Sequence, residues 1–198
     1  MTLARVIIMS TASPGSLNPE IKKNENNETA LLGAFCLFLS AIEYMIPKPL
    51  PFLRIGLANL PIMLACDILS FPAFLLLICI KTAGQALITG TLFSYVFLFS
   101  IVGTFFSALL MYFLRKSLKE RITFIGVGTA GAVVSNISQL ALAYVFIFKD
   151  NVRYIAPPFL AAGIVTGIAL GVFCEVFAGK SQWFNKVRSE KLRVRSEE

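Results

Sequence analysis

"LLICIKTAGQALITG", Leu76–Gly90, decides how this chain folds. All but a few of its residues are apolar or small, as in a segment that lives in lipid, yet Lys81 stands in its middle. A charge at bilayer depth is costly, and the residues that carry one generally face a bundle interior or a functional cavity. If the stretch spans a membrane, partners for Lys81 must come from neighbouring helices.

Composition supports the membrane reading. Of the 198 residues 57% are apolar and only 15% are charged, against about 25% charged in an average soluble domain. A soluble protein of this size cannot hide so much apolar surface. The fold class expected is all-α integral membrane. The net charge of +7 does not point to nucleic acid, because the basic residues gather in the tail and one short loop, where membrane proteins keep them. Histidine is absent and no cysteine pair has CxxC spacing, so neither histidine chemistry nor a zinc or redox motif is readable, and no metal or cofactor is expected.

Uncharged stretches locate the helices. Lys81 to Arg115, Arg121 to Lys149 and Arg153 to Glu175 enclose 33, 27 and 21 residues, and a span needs about 20. Residues 55–80 admit either one long helix carrying Asp67 or two helices parted by a turn at "CDILSFP", Cys66–Pro72. Charge asymmetry favours the turn. With six spans (30–46, 55–69, 72–90, 94–115, 122–148 and 156–178) and both termini cytoplasmic, 13 of the 18 Lys and Arg fall inside. Five spans would set "RKSLKER", Arg115–Arg121, opposite the N-terminal lysines. The expected organisation is a disordered cytoplasmic arm over 1–29, a transmembrane domain over 30–178, and a basic cytoplasmic tail over 179–198. The second span is short and needs tilt or burial against neighbours.

A rise of 1.5 Å per residue places the polar groups in depth. Lys81 lies roughly 14 Å along the third span, near the midplane, with Gln85 about one turn further out. Glu43 ends the first span, Asn59 opens the second, and Asn136 and Gln139 lie roughly 21 and 26 Å along the fifth. All six fall between the midplane and the outer edge, and they come from four helices. The inner half holds only Asp67 and Glu175, near its boundary. This asymmetry predicts one polar pocket, open outward and closed beneath. Lys81 with Arg54 and Lys48 would favour an anionic or electron-rich ligand, and Glu43 would fix the lysine or bind a donor on the ligand. Blander readings stand beside it. Lys81 and Glu43 could form a structural ion pair, the amides could be interhelical glue, and Arg54 could reach into headgroups. Small-residue stripes such as "GIVTGIALG", Gly163–Gly171, suit close helix packing.

No catalytic motif is readable. There is no Walker A sequence, no aspartate-rich pair for a magnesium diphosphate, and no relay of acidic groups. The chain reads as a binder that lacks an engine and is not expected to be an enzyme.

"PLPFLRIGLANLPIMLA", Pro49–Ala65, and above all "RIGLAN", Arg54–Asn59, resemble the Gx transporter family, whose members also bear the name heptaprenyl diphosphate synthase component I. "GAVVSNISQLALA", Gly131–Ala143, and the terminal glycine stripe support the likeness, which covers about residues 30–178. The resemblance implies a substrate-binding S component of an energy-coupling-factor (ECF) transporter in the cytoplasmic membrane. Its implied partners are a transmembrane scaffold subunit, paired cytoplasmic ATPases, a small-molecule ligand and membrane lipid, with no nucleic acid. Such proteins dock on the scaffold through an Ala-xxx-Ala face of the first helix, which Ala30 and Ala34 match. The alternative is a non-catalytic membrane subunit associated with heptaprenyl diphosphate or quinone biosynthesis. The substrate-binding residues expected from depth and charge, independently of the resemblance, are Glu43, Arg54, Asn59, Lys81, Gln85, Asn136 and Gln139.

Overall fold

The computed structural model describes residues 19–46, 56–118 and 121–197. Its elements are α-helices with short 3₁₀ and π segments: α1 (Pro19–Met45), a 3₁₀ turn (Leu57–Asn59), α2 (Leu60–Ile68), α3 (Phe71–Thr89), α4 (Tyr95–Leu118), α5 (Phe124–Ala143), α6 (Val152–Lys180) and α7 (Gln182–Glu197). A five-residue π segment, Tyr144–Phe148, prolongs α5. Five helices are long and apolar enough to cross a membrane, and large apolar side chains such as Phe38, Leu76, Phe106, Val165 and Phe173 cover their outer faces. Only lipid accommodates that much exposed apolar surface, so the chain is a multi-pass membrane protein.

The ambiguous middle resolves into two helices. The chain breaks at Leu69 and Ser70, both in extended conformation. Pro61 opens α2 and Pro72 opens α3, each in a first turn where its missing N–H is no loss. The α2 helix is too short to span alone. Eight of its nine residues are buried, and each of the other six helices touches it. It is the hub of the core, which explains how so short a segment tolerates a membrane protein's interior. At its other end α3 stops in a Schellman turn. Gly90 is left-handed with φ 65°, its N–H donates to the Leu87 carbonyl at 3.3 Å, and the Thr91 N–H donates to the Ala86 carbonyl at 3.0 Å.

One expectation about the N-terminal end changes. Residues 19–29, read as part of a disordered arm, form the opening turns of α1. The reason is tertiary: Glu25 accepts from the Ser70 N–H at 2.7 Å, Thr29 is buried, and Lys191 approaches both Glu25 and Glu28, at 3.6 and 3.8 Å. Residues 1–18 lie outside those described. The tail is helical as well. Phe184 and Val187 of α7 are buried against the bundle, and Phe184 meets the edge of the Phe124 ring.

This end of the bundle is sealed by charge. Arg115 on α4 forms a bidentate pair with Asp67 at the end of α2, with Nε–Oδ1 at 2.7 Å and Nη2–Oδ2 at 2.8 Å. The guanidinium also donates to the Ile122 carbonyl and lies 4.2 Å from the centroid of the Phe124 ring. Arg188 of α7 adds a second cation 3.6 Å from Asp67. Glu175 on α6 accepts from the Phe124 N–H at 2.8 Å, at the first turn of α5.

Removing one member of the Arg115–Asp67 pair strands a buried charge, a loss of roughly 3–5 kcal/mol. Asp67→Ala should therefore lower the thermal unfolding temperature in detergent sharply. Lys191→Ala, which breaks longer and more exposed contacts, should stay within about 1 kcal/mol of the parent.

Candidate functional site

Lys81 is 3% exposed, at mid-length of α3. Its ammonium donates to Asn59 Oδ1 at 3.2 Å and to Thr104 Oγ1 at 2.9 Å. Asn59 is held at the end of the 3₁₀ turn, where its own N–H donates to the Gly56 carbonyl at 2.8 Å. The Gly56 N–H in turn donates to Glu43 Oε1 at 3.2 Å. Gly56 is left-handed, with φ 86°, so a side chain here would strain the turn, and its Cβ would meet the Asn59 amide at 3.2 Å. A continuous path of hydrogen bonds therefore joins the carboxylate of α1 to the ammonium of α3 through the turn that precedes α2.

The facing wall is made by α5 and α6. Asn136 Nδ2 donates to the Phe159 carbonyl at 2.8 Å, and Gln139 Nε2 donates to Ser135 Oγ at 3.0 Å. Both amides sit where a neighbouring helix has no side chain. A Cβ at Gly163 of α6 would collide with the Asn136 amide, and one at Gly103 of α4 would come 2.7 Å from Gln139 Nε2. Further along the same seam, Gly128 would meet the Gly167 carbonyl at 2.8 Å, so α5 and α6 lie backbone to backbone.

The two walls enclose one cavity of about 50 Å³. Glu43, Asn59, Lys81, Gln85, Asn136 and Gln139 all line it. The six residues placed at one depth from sequence thus share one chamber. Arg54, the seventh, lies outside the described residues. Ala30 and Ala34 do not line the cavity; both are exposed on α1. The cavity's polar α4 lining, Ser100, Thr104 and Ser107, lies about four, three and two turns from Arg115, and Met63 and Met111 floor the cavity about one turn from the Arg115–Asp67 seal.

Helix α4 supplies what the sequence reading missed. Ser100, Thr104 and Ser107 line the cavity, and Met111 follows on the same face. Their spacing of i, i+4, i+7 and i+11 is a helical stripe in an otherwise apolar segment, and it leads down to Arg115. Ser135, Thr166 and Met63 also line the cavity. Gln85 Oε1 and Ser107 Oγ are buried and have no hydrogen-bond partner. Each such atom costs about 1–3 kcal/mol, so both call for an occupant. At about 50 Å³ the space admits a few water-sized groups, whereas metabolite sites run to about 300–1,000 Å³. A larger ligand requires the walls to part. Among the described residues no cluster of Cys, Asp or Glu could hold a metal ion.

The glycine seats generate a test. Gly163→Ala and Gly103→Ala should displace Asn136 and Gln139 and destabilise the protein by about 1–3 kcal/mol each, read as a drop in unfolding temperature. Gly179→Ala, where a Cβ meets nothing within 4 Å, should instead be neutral or slightly stabilising.

A model of the family described as heptaprenyl diphosphate synthase component I matches residues 32–177. That span takes in α2 to α5, nearly all of α6 and the length of α1 from Leu32 onward, and therefore every described side chain that lines the chamber. No curated protein and no solved structure matches the chain. With about three quarters of its length covered by that match, the chain belongs to the heptaprenyl diphosphate synthase component I family.

Proposed function

We propose that the protein is the substrate-binding S component of an energy-coupling-factor transporter, holding a small polar-headed metabolite in the chamber around Lys81. The observation that carries this reading is the convergence on one buried cavity of polar side chains from α1, the 3₁₀ turn, α3, α4, α5 and α6. Structural glue would satisfy its own hydrogen bonds, yet Gln85 Oε1 and Ser107 Oγ have none. In this reading α2 counts as a sixth membrane segment and both termini lie in the cytoplasm, as the distribution of Lys and Arg favours. The chamber then occupies the outer half of a cytoplasmic-membrane protein, and the Arg115–Asp67 seal faces the cytoplasm. The chain itself is not an enzyme. Scaffold docking falls to the exposed small-residue face at Ala30 and Ala34, and paired ATPases on the scaffold supply the energy.

The family's description favours a second reading, a non-catalytic membrane subunit of heptaprenyl diphosphate or quinone biosynthesis. Its site would lie at the opposite pole, close to a cytosolic prenyl transferase. The carboxylates described there are engaged: Asp67 by Arg115 and Arg188, and Glu175 by the Phe124 N–H. Beside them Glu25 accepts from the Ser70 N–H and Glu28 faces Lys191, and among the described residues no cluster of three or more acidic side chains could hold a metal ion.

Native mass spectrometry of the protein purified with its endogenous ligand tests the first reading. Lys81→Ala and Asn136→Ala should each lose the bound mass while the protein stays folded. Ala34→Phe should keep the ligand and lose co-purification with a membrane scaffold and ATPases. Ligand retention in both chamber variants would refute the assignment. A prenyl transferase whose activity depends on the chain would support the second reading.

A further inference from the structure

The last helix is basic and sits on an acidic seat. α7 holds five Lys and Arg against two Glu. Only Ser181 separates it from α6, which is long and apolar enough to span, so α7 lies at a membrane boundary whichever way the bundle points. Its docked face is apolar at the centre, where Phe184 and Val187 are buried, and basic beside them. Arg188 stands 3.6 Å from Asp67, and Lys191 stands 3.6 Å from Glu25 and 3.8 Å from Glu28. The two cations stay 28% and 22% exposed, and ion pairs of that length and exposure hold weakly. On the flanks Trp183, Lys186, Leu192 and Arg193 are exposed. Trp183 and Val187 are four residues apart, so with Phe184 they make one narrow apolar stripe. A basic helix with such a stripe has the chemistry that binds the surface of an anionic bilayer.

The seat keeps its bonds without the helix. Asp67 retains its bidentate partner Arg115, and Glu25 retains the Ser70 N–H. The helix in turn carries its own cap. Ser181 Oγ accepts from the Phe184 N–H at 3.2 Å, and the Ser181 carbonyl accepts from the Asn185 N–H at 3.1 Å. Ser181 is extended, and a Cβ on Gly179 would meet nothing within 4 Å, so the junction with α6 is uncrowded. We propose that α7 is a displaceable latch, which exchanges the carboxylates of Glu25, Glu28 and Asp67 for the anionic headgroups of the adjacent bilayer. Both seats offer anionic oxygens around a small apolar recess. On the bilayer Trp183, Phe184 and Val187 enter the headgroup boundary while the cations meet phosphate. A neutral surface lacks those charges, and there α7 stays docked. Undocking uncovers the Arg115–Asp67 pole. None of this depends on what the chamber holds.

Trp183 is the chain's one tryptophan, so its fluorescence reports on α7 alone. The test reconstitutes the full-length protein in vesicles of phosphatidylcholine, with and without phosphatidylglycerol. It records Trp183 emission and its quenching by lipids brominated in their acyl chains. Phosphatidylglycerol should shift the emission to the blue and raise the quenching. Equal emission and quenching in the two lipids overturns the proposal. A second arm separates undocking from contact through the exposed flank. In a Cys79→Ala background, Glu28→Cys and Lys191→Cys joined by a short bismaleimide hold α7 on the bundle. The lipid response should vanish on joining and persist in the unjoined protein. A response that survives joining shows lipid touching α7 where it sits, and the exchange is then wrong. Each cation brought to an anionic surface strengthens association about fivefold. Lys186→Gln, at an exposed site outside the docked ion pairs, should weaken the phosphatidylglycerol response by about that factor and leave the phosphatidylcholine spectrum unchanged. A latch indifferent to lipid that yields instead to an added lysine-rich helical peptide marks a protein-docking seat, which equally overturns the proposal.

Discussion

An ammonium at mid-length of an apolar helix sets the terms for everything around it. Lys81 cannot be left to lipid, and an unpaired charge in the interior would be prohibitive. Its neighbours must bring oxygen atoms to it. Asn59 comes from the 3₁₀ turn and Thr104 from α4, and Glu43 joins through the backbone of Gly56. Three separate segments are thereby fixed relative to α3. The polar lining that completes the chamber on α5 and α6 then faces a wall whose position is already determined. The rest of the bundle can be apolar because this one requirement is met locally.

The two poles of the molecule divide the work. At the Arg115 end carboxylates and cations are matched and held by backbone donors, so the helices are pinned there. At the chamber end hydrogen-bonding capacity is left over. The hub helix α2 lies between them, sending Met63 to the cavity and Asp67 to the seal. A short buried helix suits this place because it joins the two regions without needing to cover the thickness of a membrane.

Much of the chamber was legible in the sequence, for a simple reason. Rigid helices of known rise convert residue number into depth, and strongly polar side chains in apolar segments are too costly to be incidental. Glu43, Asn59, Lys81, Gln85, Asn136 and Gln139 were found that way. The break at Leu69–Ser70 followed from charge asymmetry, with Pro72 marking the restart of the helix. Ser100, Thr104 and Ser107 escaped because hydroxyls are cheap in a membrane helix, where they can bond back to carbonyls of the preceding turn, so they do not stand out from their neighbours. The helical character of residues 19–29 was hidden for a different reason. "PEIKKNENNET" has no apolar face of its own, and its order comes from Glu25 and Thr29 meeting distant parts of the chain. No local pattern announces contacts of that kind.

The glycine seam between α5 and α6 has a mechanical consequence. Backbones that touch without intervening side chains have no rotamers to rearrange and little slack to yield. The two helices therefore travel as one stiff paddle, and Asn136, seated against Gly163, is carried with them. Because α4 is itself seated on α5 at Gly103 and Gly131, admission of a guest then falls to the face where this paddle looks across the cavity at α3. The chamber would swell as a hinged jaw does, with one rigid plate swinging from a fixed one, and the amide teeth would keep their spacing throughout.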